Sequence, residues 1–151
     1  MVPLAIRNRA LRVLSLEEDP LQRKLLSACL DAVGVEAFFA SRAPEAIFLF
    51  RRHPVDMVFM DIDQHSQAGL AAFEGIRATP RRGRGVPILA MTNNECRWTE
   101  QDYRDAGFVT MFLKPVEPMR LFLAIDSVLR ETAQPPLLED GALKEMLSQV
   151  A

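Results

Sequence analysis

Residues 58–69 read VFMDIDQHSQAG, and the fold turns on how this stretch is read. The apolar run from Met57 to Met60 leads straight into Asp61; a second carboxylate follows at Asp63, and a polar, turn-like segment lies behind it. A run that short and that uniformly apolar predicts a strand covered on both faces, the kind found inside parallel sheets. A carboxylate at the end of such a strand is either badly placed or placed for chemistry.

Outward from this strand the same pattern recurs. LRVLSL (11–16), VEAFFA (35–40), VDMVFM (55–60), VPILAM (86–91) and FVTMFL (108–113) are short, apolar and rich in Val, Ile and Phe. Segments with helical spacing lie between them. Leu21, Leu25, Ala28, Cys29 and Ala32 form one stripe; Leu121, Phe122, Ile125, Val128 and Leu129 form another. Residues 42–53, 69–79 and 98–106 supply three more helices. Asp19 before Pro20 predicts an N-cap with proline at the first helical position, and Gly34 a stop. Strand and helix alternating five times imply an α/β domain: a five-stranded parallel sheet with right-handed crossovers placing helices on both faces.

Composition sets the outer bounds. The chain has 151 residues, 49% hydrophobic and 25% charged, enough for one domain with a proper core. A formal net charge of -2 and a pI near 5.7 give no field for gripping nucleic acid or an anionic membrane by bulk electrostatics. No apolar run approaches a spanning helix, and the opening MVPLAIRNRA is too short and too basic for a secretory segment, so a cytoplasmic protein is expected. Cys29 and Cys96 belong to no CxxC pair and predict neither a zinc site nor a disulfide framework. The basic patch PRRGRG (80–85) reads as a solvated loop. Residues 1–10 read as an extension and 11–131 as the domain. Residues 132–151 read as a linker around QPP followed by the amphipathic LLEDGALKEMLSQV.

In an open parallel sheet, ligands collect where the loops after the strands converge. Those loops carry Glu17, Glu18 and Asp19; Asp61 and Asp63; Thr92 and Asn93; and Lys114 with Pro115. Carboxylates gathered at one mouth repel unless something positive sits among them. A hard divalent cation such as Mg²⁺ suits oxygen donors of this kind. Lys114 and Thr92 are then free to hold a phosphoryl group, and Asp61, between metal and lysine, becomes a nucleophile able to form an acyl phosphate.

Taken in order, the acidic trio and proline of LEEDP, the terminal aspartate of VFMD, the threonine ending ILAMT and the FLKPV run make the chain resemble the receiver domains of bacterial two-component response regulators. The resemblance covers about residues 11–131 and implies a flavodoxin-like, doubly wound sheet with strand order 2-1-3-4-5. It implies that Asp61 is the phosphoacceptor, supplied by a histidine kinase or a histidine phosphotransfer protein. Glu17 and Glu18 match the metal-binding acidic pair, and Asp63 the position whose backbone carbonyl completes the Mg²⁺ shell. Thr92 matches the switch hydroxyl and Lys114 the phosphate partner. A cis bond before Pro115 is implied too. Such domains signal through the face of the fourth helix, fifth strand and fifth helix when the aspartate gains charge.

Four positions depart from the family's pattern. Glu18 stands where an aspartate ligates the metal, and its extra methylene, about 1.5 Å of reach, weakens the expected Mg²⁺ site. Met111 replaces a switching aromatic, His65 a loop proline, and Asn93 the small residue after the threonine. The retained Asp61, Thr92 and Lys114 favour the phosphoacceptor, while Glu18, Met111 and His65 favour a second reading, a degenerate receiver acting as a phosphorylation-independent interaction module. An unrelated enzyme on the same sheet has little support: no glycine-rich phosphate loop follows the first strand, and neither His53 nor His65 partners a nucleophile. No helix-turn-helix segment points to DNA. The tail resembles the opening helix of histidine phosphotransfer domains, which would place the chain within a larger relay protein.

Overall fold

The computed structural model describes residues 5–6, 9–63, 67–95 and 97–133. A short antiparallel hairpin, β1 (Ala5–Ile6) and β2 (Arg9–Ala10), precedes the sheet. Five parallel strands follow: β3 (Arg12–Leu16), β4 (Glu36–Ala40), β5 (Met57–Asp61), β6 (Ile88–Thr92) and β7 (Thr110–Leu113). They are ordered β4-β3-β5-β6-β7. Counted without the hairpin, this is the expected 2-1-3-4-5, with the crossover between β4 and β5 passing over β3.

Alternation along each central strand divides the core into two layers. Val13, Met57, Phe59, Leu89 and Met91 face α1 (Pro20–Ala32) and α6 (Pro118–Ala133). Leu14, Val58, Met60, Ile88 and Ala90 face α2 (Ala43–Arg52), α3 (Gln67–Arg77) and α5 (Glu100–Asp105). Side chains on successive residues of a strand point to opposite faces, so a strand filled by apolar residues throughout needs both layers.

Local signals act as the sequence predicts at most ends. Asp19 accepts from the backbone N–H groups of Leu21 and Gln22 at 2.8 and 3.3 Å, with Pro20 opening α1. Gly34 takes φ +76°, a left-handed value that suits glycine, just past the helix. Lys114–Pro115 is cis.

Three expectations need correction. The apolar stripe chosen for α1 is shifted: Leu21 and Leu25 are 63% and 45% exposed, while Leu26, Cys29 and Leu30 face the core. The helix expected at 98–106 starts later, as α5, because Thr99 caps it in a capping box with Asp102 and leaves Trp98 outside. PRRGRG is solvent-exposed apart from Gly83 but is not an irregular loop: Arg82–Gly85 forms a helical turn, α4. Arg82 within it donates to the carbonyls of Phe50 and His53 at 2.7 Å each, satisfying acceptors at the end of α2. Arg77 likewise reaches the carbonyls of Val86 and Gly83 at 2.7 and 3.0 Å. His65, Cys96 and the tail from residue 134 lie outside the described residues.

Candidate functional site

The carboxyl ends of β3, β5, β6 and β7 meet at one mouth, forming an open cleft of about 470 Å³ lined among others by Glu17, Glu18, Asp61, Asp63, Asn93 and Lys114. Parallel register delivers them there. Asp61 is the last residue of β5 and pairs with Met91 on β6, while Thr92 ends β6 opposite Leu113 on β7, which puts Lys114 one residue further on. Lys114 N–H donates to the Thr92 carbonyl at 2.9 Å, fixing the lysine backbone.

The focus of the cleft is the Lys114 ammonium. Its Nζ lies 2.9 Å from Asp61 Oδ2, 3.0 Å from Asp63 Oδ2 and 3.3 Å from Glu17 Oε2. Burial alone would lower the lysine's proton affinity, but bonds to Asp61 and Asp63 and the charge of Glu17 reverse this and raise its pKa well above the ordinary value. Glu17 is almost wholly buried. Burial first, and then the neighbouring Asp61 charge, raise its pKa despite Lys114.

Asp63 does more than the sequence reading asked of it. Its side chain Oδ1 accepts from the Thr92 hydroxyl and from the Asn93 backbone N–H, each at 3.0 Å, while Oδ2 takes Lys114. Burial would raise its pKa, yet those three donors together hold it below the ordinary carboxylate range. Its own backbone N–H donates to Asp61 Oδ1 at 3.2 Å. Part of the signal was available: residues two apart in an extended segment point the same way, so Asp63 faces the same mouth as Asp61, but that spacing does not say which donors it meets there.

The expected positions therefore converge, with one qualification. Glu17, Asp61, Asp63, Thr92 and Lys114 form one connected network, while Glu18 lines the cleft but is exposed. Among the described residues no three His, Cys, Asp or Glu side chains are gathered as a ready metal cage. The carboxylates gather around the ammonium instead. Met111 is half-buried against the α2/α3/α5 layer, and Tyr103 is fully buried, donating its hydroxyl to Asn94 Oδ1 at 2.7 Å. No described helix is long and apolar enough to cross a membrane.

Known proteins carry the same architecture. The chain is 27% identical over 117 residues to the polar-differentiation response regulator DivK of Brucella anthropi, covering 78% of this chain and 94% of that protein. It is 26% identical over 112 residues to the signal transduction histidine-protein kinase BarA of Shigella flexneri, covering 74% of this chain but spanning only 12% of that kinase. Among solved structures, chemotaxis protein CheY4 of Vibrio cholerae superposes with a TM-score of 0.70 at 22% identity, covering 80% of this chain and 99% of that one. The receiver domain of a sensor histidine kinase from Pseudomonas aeruginosa, with a magnesium ion coordinated in its active-site cleft, gives 0.68 at 24% identity, covering 78% and 96%. The model of the response regulator receiver domain matches residues 13–126, and the chain belongs to that family of two-component signalling modules.

Proposed function

We propose that this receiver accepts a phosphoryl group on Asp61 from a phosphohistidine of a histidine kinase or histidine phosphotransfer protein. The observation carrying the reading is the placement of Asp61: it ends the central strand β5 at the floor of an open cleft, with the Lys114 ammonium 2.9 Å from one oxygen. In the transfer the N–P bond of the donor breaks, an O–P bond forms to Asp61, and the imidazole leaves. Lys114 and the Thr92 hydroxyl are the donors that neutralise and orient the added oxygens.

The donor set also fits Mg²⁺. Glu17, Glu18, Asp19, Asp61 and Asp63 face a single ammonium in the cleft, a surplus of hard, anionic oxygen that a small divalent cation offsets. Glu17, Glu18, Asp61 and the Asp63 backbone carbonyl would hold it, and it would supply charge neutralisation at the oxygens of the phosphoryl group. Glu18 stands exposed with an extra methylene, so it reaches in from the rim and the site is weak. Output runs through the face made by α5, β7 and α6, where the exposed Leu113 and the half-buried Met111 lie on the edge strand.

The second reading, a receiver that works as a binding module without phosphate, draws on the three carboxylates already closed around Lys114. Incubation with Mg²⁺ and acetyl phosphate decides between them. The expected result is one adduct of about 80 Da, the mass of a phosphoryl group, absent from Asp61→Asn. An unchanged mass in the parent protein at saturating donor selects the binding module.

A further inference from the structure

The donors around Asp63 are the ones an added phosphoryl group at Asp61 would need. A neutral hydroxyl (Thr92), a backbone amide (Asn93) and an ammonium (Lys114) converge on one carboxylate, all at 3.0 Å. The three come from two separate strand ends, β6 and β7, and are brought together only at this point. The Thr92 side chain is buried, and its hydroxyl oxygen accepts from the Asn94 N–H at 2.9 Å, so the hydroxyl proton is directed to Asp63. Asp61 shares only the ammonium, and accepts the Asp63 N–H. Fixed donors converging on an anion form an anion site, and here the anion is part of the chain.

We propose that the Asp63 carboxylate is a built-in surrogate for the phosphoryl group: it occupies the Thr92, Asn93 and Lys114 donors in the resting protein and must be displaced before they can close on a phosphoryl group carried by Asp61. The inference rests on the phosphoacceptor reading of Asp61 and concerns how that site is regulated. Two effects follow from one side chain. Asp63 competes for the donors, and its charge opposes the roughly -1.5 to -2 charges arriving nearby. Both slow loading and shorten the life of the loaded state. A neutral Asn at this position keeps the shape and an acceptor oxygen but releases the ammonium, and its backbone carbonyl is unchanged.

The test compares the intact chain with Asp63→Asn and Asp63→Ala. Initial rates of adduct formation with acetyl phosphate and Mg²⁺ are followed by mass spectrometry, and the affinity for beryllium fluoride with Mg²⁺, a non-reacting mimic of the phosphoryl group, is measured by calorimetry. In loading, the acyl C–O–P linkage of acetyl phosphate breaks at phosphorus, acetate departs, and the Asp61 O–P bond forms. Both variants should load about tenfold faster or more, and bind the mimic more tightly by a similar factor, since a charge-assisted bond is being vacated. Thermal unfolding confirms that each variant is folded. A parent protein that loads while both folded variants load and bind the mimic within about twofold of it overturns the surrogate and leaves the phosphoacceptor reading standing. Variants that load when the parent barely does support both. Failure of all three proteins to load or to bind the mimic removes the phosphoacceptor reading and the surrogate with it.

Discussion

Lys114 is the residue on which the cleft depends. It is within ion-pair distance of three carboxylates, among them the deeply buried Glu17, and none of those acids has a second cation within that distance among the described residues. Removing one partner from a buried ionic cluster strands the others in a poorly solvated place. Lys114→Met, which keeps an unbranched stem out to Cε and removes the ammonium, is expected to destabilise the protein by about 3 kcal/mol near neutral pH. Part of that loss should return near pH 5, where unpaired carboxylates crowded together take up protons. Urea midpoints at the two pH values measure this, and a loss below about 1 kcal/mol at neutral pH would mean that the cleft behaves as an exposed, water-screened surface. The lysine was legible as the cation of the site. Its tie to Asp63 was not, because the sequence shows two acids near a strand end but not which donors each will meet.

At the scale of elements, the strands were the most readable part. Each is a short apolar run bounded by polar residues, and the two-layer core explains why no polar alternation marks them. Helix faces were harder to read. In α1 several choices of apolar stripe compete, and the one containing Leu21 and Leu25 lost to Leu26, Cys29 and Leu30, which tertiary packing selects. The basic turn after α3 was missed for a different reason. Four arginines in eight residues, Arg77 to Arg84, read as a solvated surface, and Arg81, Arg82 and Arg84 are indeed exposed, but Arg77 and Arg82 also tie the turn down by donating to backbone carbonyls. The glycines there are unequal. A methyl at Gly83 would run into the Ile76 carbonyl and lie 3.0 Å from Thr79 Cβ, whereas one at Gly85 meets nothing within 4 Å. Gly83→Ala should therefore cost about 2 kcal/mol or more, because backbone must move. Gly85→Ala should be neutral or stabilising by about 0.5 kcal/mol through reduced freedom of the unfolded chain. Chemical denaturation of the two variants side by side checks the contrast, and equal effects would mean that the turn is not packed against α3 as described.

Across the whole molecule, five acids, Glu17, Glu18, Asp19, Asp61 and Asp63, line the cleft at the carboxyl end of the sheet, and three groups of that cleft make global stability depend on pH in opposite senses. Asp63 is held below the ordinary carboxylate range, so its contribution is present above about pH 3.9 and fades as pH falls through its folded value. Lys114 is raised, so its contribution is complete below about pH 10.4 and is lost only as pH climbs past its folded value. Glu17 works against the fold. Its pKa is raised, chiefly by burial, so below about pH 4.3 it is protonated in both states and neutral in effect. As pH rises from there the unfolded chain releases this proton first, and stability declines until the folded pKa has been passed. Replacing Glu17 with Gln removes that titration while preserving the shape of a side chain sealed beneath Lys114. Unfolding free energies of Glu17→Gln and the parent, followed from about pH 4 to pH 8, should thus diverge in favour of the variant as pH increases and then run parallel. Curves that stay parallel throughout, or that diverge in favour of the parent, would show that Lys114 already outweighs the burial of this carboxylate and that the cleft holds its acids without strain.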